Sequence, residues 1–450
     1  MNDSVVVIGA GISGLTAAWR LKRQGRPVVV VDGAAEAGGV MRSRVRDGFL
    51  CEEGPNSFQT SPELLELIRE AGLEPELVTA DARLPRFIYY RGRLERAPMS
   101  PGALLSTPLL SLREKVRALR EPWIESAARQ DESLADFVTR RFGAPVLRNF
   151  VAPFVSGIYA GDAARLSARA VFPQLVEWER KHGSVLRGLI GSARRAPKPR
   201  AARLLASFRG GLQTLPRALA AGLGEGALRL GTQADALRSE SGKLTLRVCT
   251  PSGAEELQAK AVILAAPAYR AAEIVRPLSA DLAEELGGID YPPLASVCIA
   301  FRSSEVPRPL DGFGFLAPRG EGLRALGCIW SSSLFPGRAP EGSALLTLFL
   351  GGATDPGVAA MTDDAVAEQV RRDLAAALGI RAAGRVVKIG RLERAIPQYA
   401  LGHPARVERI EAELRRVPGL YLAGNYLRGV SIGDCVKEAG ELAARLAVAT

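Results

Sequence analysis

The sequence predicts an α/β domain on a buried parallel sheet, an α+β domain on a second and largely antiparallel sheet, and a block of helices inserted between them. Three observations lead there. Val5-Val6-Val7-Ile8 is a β-branched run followed by Leu15, Ala18, Trp19 and Leu21 at helical spacing and by a second buried run at 28–31, a β-α-β unit of about 30 residues. Residues 102–205 change to amphipathic helical periodicity rich in Arg. Residues 294–350 carry alternating or apolar runs between Gly and Pro turns.

The chain has 450 residues, enough for two or three domains at about 100–200 residues each. With 47% hydrophobic and 24% charged residues, disordered and fibrous classes drop out. Cys51, Cys249, Cys298, Cys328 and Cys435 lie far apart with no Cys-x-x-Cys pair, so neither a zinc ribbon nor an iron–sulfur cluster has its ligands in register, and a reduced compartment is expected. His182 and His403 are the only histidines, which excludes a multi-His metal centre and assigns the chemistry to a cofactor. The net charge of +11 is nearly all Arg spread along the chain, without a compact basic motif interleaved with aromatics, so no nucleic acid is expected as partner. Met1-Asn2-Asp3-Ser4 leads straight into the first strand with no export signal, and no run of about 18 apolar residues is present, so a cytoplasmic location without a spanning helix is expected.

In chain order, helices are expected at Leu112–Leu119, Leu134–Phe142, 146–150 and 175–189, followed by a basic stretch at 193–203 with two prolines. Leu228–Leu230, 244–248 and 262–265 return to strand periodicity and are expected to resume the first sheet. Strands at 294–301, 313–317, 325–330 and 344–350 would build the second sheet. A strand ending in a turn at 419–425 and a helix from about 433 close the chain.

Between the first strand and helix lies Gly9-Ala10-Gly11-Ile12-Ser13-Gly14. Gly9 permits the turn out of the strand, Gly11 lets backbone approach a pyrophosphate, and Gly14 allows close helix–strand packing with the helix N-terminus facing the phosphates. Asp32 ends the second strand, where a carboxylate accepts ribose hydroxyls. To this point FAD and NAD fit equally; Gly38-Gly39 and Arg42, close behind Asp32, favour FAD.

This arrangement resembles the FAD-containing amine oxidase superfamily, in which a second Gly-Gly turn and a C-terminal strand-Gly-helix element complete the flavin site. Gly424 to Gly433 looks like that element, and the helix beginning there would point its positive end at the flavin N1/O2 edge. The resemblance extends the expected cofactor contacts to Gly54, Pro55, Asn56 and Ala266, and to Asn425, Val430, Ser431 and Ile432. Residues 410–425 contain no Cys, so a non-covalent flavin is expected. No second Gly-x-Gly-x-x-Gly follows a strand, which leaves oxygen or another acceptor, not a pyridine nucleotide, to reoxidise the flavin.

A closer resemblance runs through the chain: Glu52-Glu53-Gly54-Pro55-Asn56-Ser57, Gly157-Ile158-Tyr159-Ala160-Gly161-Asp162, Leu166-Ser167, Phe172-Pro173, Glu179, Gly183-Ser184-Val185, Gly312-Phe313-Gly314, Phe335-Pro336-x-Arg338-Ala339-Pro340 and Pro397-Gln398-Tyr399-x-x-Gly402-His403. In this order the set is similar to the protoporphyrinogen oxidase family. That resemblance implies a Rossmann-like, p-hydroxybenzoate-hydroxylase-like FAD-binding domain over 1–82, 207–270 and 405–450. It further implies a mixed-sheet substrate domain over 83–101, 190–206 and 271–404, and a helical membrane-associating insert over 102–189. It implies a six-electron oxidation of protoporphyrinogen IX, with oxygen as acceptor and hydrogen peroxide released, on the way to haem. Coproporphyrinogen III, or an amine or carotenoid substrate of another superfamily oxidase, stands as the alternative. A flavoprotein that binds porphyrin without turnover is a third reading. By position, Arg86 would pair with a propionate, Gly157 would accept pyrrole N–H protons, and Asn56 would lie near the flavin and the reacting centre. Leu316, Ile329, Phe349 and Phe154 would clamp the macrocycle. A homodimer, a peripheral contact with the cytoplasmic membrane if the source is bacterial, and ferrochelatase as a partner are also implied.

Overall fold

The computed structural model describes residues 4–126, 131–195, 204–240 and 243–448. The start of the chain read for a leader, and most of the basic stretch at 193–203, lie outside them.

Five strands form one parallel sheet in the order Leu228–Leu230, Val28–Asp32, Val5–Ile8, Ala261–Leu264, Leu420–Leu422. Val5 to Ile8 are buried throughout because both faces of this sheet are covered, which is why its strands read as unbroken apolar runs. On one face the helix Ile12–Arg23 packs along the last helix, Ile432–Val448. The strand at 244–248 departs from expectation. It lies within Lys243–Thr250, the middle of a separate three-stranded antiparallel layer with Gln233–Glu240 and Gly253–Ala259. Exposed Lys243, Arg247 and Cys249 interleaved with buried Leu246 and Val248 mark a layer wetted on one side.

The second sheet has seven strands, ordered Arg385–Leu392, Leu294–Arg302, Ser343–Gly351, Gly327–Ile329, Gly314–Leu316, Arg86–Tyr90, Arg93–Arg96. All pairings are antiparallel except Gly314–Leu316 with Arg86–Tyr90, which run parallel because the chain leaves after the hairpin and returns only after the helices and much of the first sheet. One face is closed by the helix Asp363–Leu378, whose Val366, Val370 and Leu374 join Val297, Leu348 and Trp330 in a core. On the other face Phe49 and Cys51 pack against Cys298, Ala300, Leu345 and Val387.

The helical block follows expectation at Leu112–Leu119 and Leu134–Phe142 and differs at two places. The helix expected at 146–150 is a π-helical turn, Leu147–Val151, joining Ala144–Val146 to Ala152–Tyr159. Pro153 has no N–H for the carbonyl four residues back, and the wider turn relieves that fault. The helix expected over 175–189 is split into Pro173–His182 and Val185–Arg195 by Gly183 at φ +68°.

The second of these helices starts on a buried carboxylate. Glu121, fully buried, accepts from the Ser184 hydroxyl at 2.5 Å and from the N–H groups of Val185 and Leu186 at 2.9 and 3.1 Å. Burial opposes ionisation, yet these donors hold its carboxyl below the usual range. Arg141, also fully buried, pairs with Glu121 through its Nε at 2.6 Å and donates to the carbonyls of Ile124 and Gly183 at 3.0 Å each.

Cys51, Cys298, Cys328 and Cys435 are buried free thiols and Cys249 is exposed. The hydrogen bond that Cys51 donates to its neighbour Cys298, together with burial, pushes Cys51 up, and the same bond lowers Cys298; burial pushes Cys328 up and takes Cys435 to about 12. Among the described residues no group of three His, Cys, Asp or Glu could hold a metal ion, and no helix is long and apolar enough to cross a membrane.

Arg141→Ala leaves Glu121 charged and unpaired in the interior, and is expected to cost about 3–5 kcal/mol of stability. Urea unfolding of the variant against the parent measures it; a loss under about 1 kcal/mol would show that the pair does not organise the insert.

Candidate functional site

All five parallel strands end at one edge, and the predicted nucleotide motif lies there. Gly9 has φ +110°, and a Cβ on it would lie 2.9 Å from the carbonyl oxygen of Ala265 and 3.1 Å from the nitrogen of Ala266. A Cβ on Gly14 would lie 2.0 Å from the Gly9 carbonyl oxygen, so helix and strand touch through backbone. Gly11 differs: a Cβ there meets no atom within 4 Å and projects into open space at the N-terminus of the helix. The Gly38-Gly39 turn closes one side of that space. The Gly38 N–H donates to the Ala10 carbonyl at 2.8 Å, and a Cβ on Gly39 would stand 3.3 Å from Gly11 Cα.

Asp32 Oδ2 accepts the Ala10 N–H at 2.6 Å and Oδ1 the Ala34 N–H at 2.7 Å. Each oxygen retains a second lone pair, and the residue is only half-buried, so capacity for ribose hydroxyls remains. Arg42, also half-buried, follows the Gly-Gly turn. Gly54 is pressed onto the same turn, with a Cβ position 2.1 Å from the Val40 carbonyl oxygen, which brings Pro55 and Asn56 to this edge.

The C-terminal element arrives at the same place. The Ser431 hydroxyl accepts the Asp434 N–H at 3.1 Å and donates to its carboxylate at 2.6 Å, starting the helix Ile432–Val448. The helix packs along Ile12–Arg23 from its first turn, with Cys435 beside Ser13, so two helix N-termini converge. The Asn425 carbonyl accepts from the Tyr399 hydroxyl at 2.6 Å, and Val430 packs against the helical block. The cradle at Gly11, the converging helix starts and the acceptor at Asp32 fit a dinucleotide carrying phosphates.

The open face of the seven-stranded sheet lies beyond Asn56. Cross-strand register aligns Arg86 with Gly314 and Ile329, and Ile88 with Leu316, Gly327 and Phe349. Residues paired across strands, or two apart along one, share a face. Arg86, Leu316, Ile329 and Phe349 therefore point the same way, opposite to the buried Phe315, Cys328 and Leu348. The three apolar side chains are only half-buried. Arg86 is exposed, with its guanidinium 5.2 Å from the centre of the Phe313 ring.

The helix Ala152–Tyr159 crosses this face. A Cβ on Gly157 would stand 2.7 Å from Leu316 Cδ2, so a side chain there would have to displace the tip of Leu316. The Gly157 carbonyl lies in the last turn, where intrahelical donors run out. Phe154, one turn back and 44% exposed, stacks with Phe172 at 6.2 Å.

Sequence reasoning quoted Glu52 and Arg338 only as motif letters; the structure pairs them, 3.1 Å apart and both buried. Glu52 also accepts from Ser43 Oγ at 2.6 Å and the Leu212 N–H at 3.0 Å, and Arg338 donates to Ser207 Oγ at 2.6 Å. Burial raises the carboxyl and lowers the guanidinium, with the opposite charge working against both shifts. Asn56, Ile329, Phe335 and Arg338 line one small enclosed space where the two sheets meet.

A family model for flavin-containing amine oxidoreductases matches residues 12–447. The chain belongs to that family. Its cofactor is FAD, and it is an FAD-dependent oxidoreductase. Among curated relatives, the chloroplastic protoporphyrinogen oxidase of Oryza sativa subsp. japonica is 37% identical over 99% of this chain and 88% of its own. The coproporphyrinogen III oxidase of Bacillus subtilis (strain 168) is 30% identical over 96% of each. A protein of Exiguobacterium sp. 255-15, provisionally named a protoporphyrinogen oxidase, superposes over the full length of both chains with a TM-score of 0.84 at 26% identity. The family's mixed α/β fold and its flavin thus agree with the expectation from sequence.

Gly11→Val and Gly14→Val are expected to fail differently. The first fills the open space without striking protein atoms and is expected to give folded, colourless protein; the second drives a Cβ into the Gly9 carbonyl and is expected to lower the unfolding midpoint. Flavin absorbance and thermal unfolding of both proteins separate the two effects.

Proposed function

We propose that the chain oxidises protoporphyrinogen IX to protoporphyrin IX by six electrons, with oxygen as acceptor and hydrogen peroxide as the second product. The observation that carries this reading is the open sheet face, an apolar floor of Leu316, Ile329 and Phe349 with the Arg86 guanidinium at its rim. A broad tetrapyrrole with propionates on its periphery calls for that combination of surface and charge. Bound FAD would supply repeated two-electron oxidation at a carbon between pyrroles, three cycles per porphyrin.

The chain's own residues bind and orient. Arg86 pairs in the plane of a propionate, as a guanidinium does and an ammonium does not. The Gly157 carbonyl accepts a pyrrole N–H and sets the ring's rotation, while Leu316 and Phe349 exclude water from its face. No strong side-chain base is required: with three hydrides taken from three meso carbons, two of the three protons lost come from pyrrole nitrogens and the third from the fourth meso carbon, made acidic through imine–enamine exchange with its oxidised neighbours. Coproporphyrinogen III is the second reading, supported by the Bacillus relative.

The division into a flavin domain (1–82, 207–270, 405–450), a substrate domain (83–101, 190–206, 271–404) and a helical insert (102–189) belongs to the same proposal. Leu112 at 78% and Trp123 at 79% exposure, with Val116 and Leu119 nearby and Arg117 and Arg120 beside Trp123, suit the insert to the surface of an anionic membrane on the cytoplasmic side.

Aerobic turnover of the yellow protein with each porphyrinogen tests the reading, with about three peroxides per porphyrin expected. Porphyrin fluorescence no faster than autoxidation for either substrate would remove it. Arg86→Ala is expected to raise the apparent KM about tenfold with flavin content unchanged; an unaltered KM takes Arg86 out of the site. Replacing Leu112 and Trp123 together by Ser is expected to abolish co-sedimentation with vesicles containing phosphatidylserine, and full retention would place the membrane contact elsewhere.

A further inference from the structure

The stretch from Pro397 to His403 has no role in the reading above, yet its side chains join the two halves of the site. Tyr399 is 1% exposed, and its phenol donates to the Asn425 carbonyl at 2.6 Å. Its ring lies flat against His403, with centroids 4.3 Å apart and planes at 12°. His403 Nε2 stands 3.1 Å from the Leu427 carbonyl. A carbonyl only accepts, so Nε2 carries the proton. Burial lowers the pKa of His403 and raises that of Tyr399, so the phenol keeps the proton that it donates and His403 favours the neutral imidazole. Two stacked rings thus hold two carbonyls of the turn between the strand Leu420–Leu422 and the helix Ile432–Val448.

The other edge of the same pair faces the substrate side. Tyr159 meets Tyr399 edge-on at 5.8 Å, and Gln398 Nε2 donates to the Tyr159 carbonyl at 2.8 Å. Tyr159 ends the helix that carries Gly157, two residues away. Val430, on the flavin-side turn, packs into the same apolar cluster as Tyr159 and Tyr399.

We infer that Tyr399 and His403 are positioning residues, which hold the turn at 425–432 and the start of the last helix in fixed relation to the helix end that presents Gly157. The inference rests on the porphyrinogen reading for its substrate half alone. Neither side chain reaches reacting atoms; each acts through a carbonyl of the turn. Carbon donor and flavin acceptor must be held about 3–3.5 Å apart, to within about 0.5 Å, and a turn held by two hydrogen bonds keeps that distance where a looser one would not. The partial positive charge at the start of a 17-residue helix moves with the same turn.

Tyr399→Phe and His403→Phe each remove one hydrogen bond and keep the ring stack. On the holoproteins, the midpoint potential of the flavin and the rate of its anaerobic bleaching by protoporphyrinogen IX are measured together with the thermal midpoint. In both variants the potential is expected to fall by about 15–30 mV, equivalent to about 3- to 10-fold in the two-electron equilibrium. Bleaching is expected to slow by about 3- to 10-fold, with the KM for porphyrinogen within about twofold of the parent. Parental potential and bleaching rate in both variants would overturn the inference, and so would a raised KM with an unshifted potential. If the parent's flavin is reduced by dithionite but not by porphyrinogen, the substrate reading fails by itself, and the potentials still decide whether these rings position the flavin.

Discussion

The buried pair of Glu52 and Arg338 is the joint on which the arrangement of the site depends. Glu52 ends the strand Phe49–Glu52 and leads into the Gly54-Pro55-Asn56 turn, while Arg338 comes from the loop joining Gly327–Ile329 to Ser343–Gly351 in the second sheet. Their contact, extended to Ser43, Leu212 and Ser207, fixes the crevice at Gly11 relative to the apolar floor at Leu316 and Ile329. An ion pair out of water is a poor source of net stability, but removing either member leaves a charge with nowhere to go. It therefore specifies one docking of the two sheets against looser ones.

Glycine serves two separate ends in this molecule. At Gly14 and Gly157 the missing Cβ lets one element press on another, the first helix on its strand and the insert on the sheet. At Gly11 the missing Cβ leaves room for something outside the chain. Spacing alone does not separate these roles; the neighbouring atoms do. The same holds for the arginines, whose excess over acids gave the sequence its basic character. Arg20 is bound to Glu66 and Glu70, Arg140 to Glu132 and Glu179, and Arg324 to Asp355, whereas Arg86 at the rim of the floor faces an aromatic ring.

What could be read in advance was local. The Gly9 to Gly14 turn, Asp32, the Gly-Gly turn and the last helix each carry their signal within a few residues, and the structure brings them to one edge. The helices at Leu112–Leu119 and Leu134–Phe142 were legible because one apolar stripe and a Ser cap mark each. Contacts between distant segments were not legible. No pattern announces that Arg86 pairs in register with Gly314, that Glu121 starts a helix beginning at Val185, or that Tyr399 reaches Asn425. The π-helical turn escaped because its cause, Pro153, lies just past the stretch whose periodicity was read. The assignment of Leu316, Ile329 and Phe349 to a substrate floor rests on resemblance, since in isolation they look like any sheet core.

The placement of the sulfur atoms bears on how long such a catalyst lasts. An oxidase of the proposed kind releases several molecules of peroxide for every porphyrin it completes, and a thiol is attacked through its thiolate. Cys51, Cys328 and Cys435 are withdrawn from solvent and kept protonated by their surroundings; Cys298, which the Cys51 hydrogen bond lowers, is protected by burial alone. Cys249 alone of the five meets the solvent, on the outer three-stranded layer. Self-inflicted oxidation would then mark the periphery and spare the working interior, which suits a protein obliged to live with its own by-product.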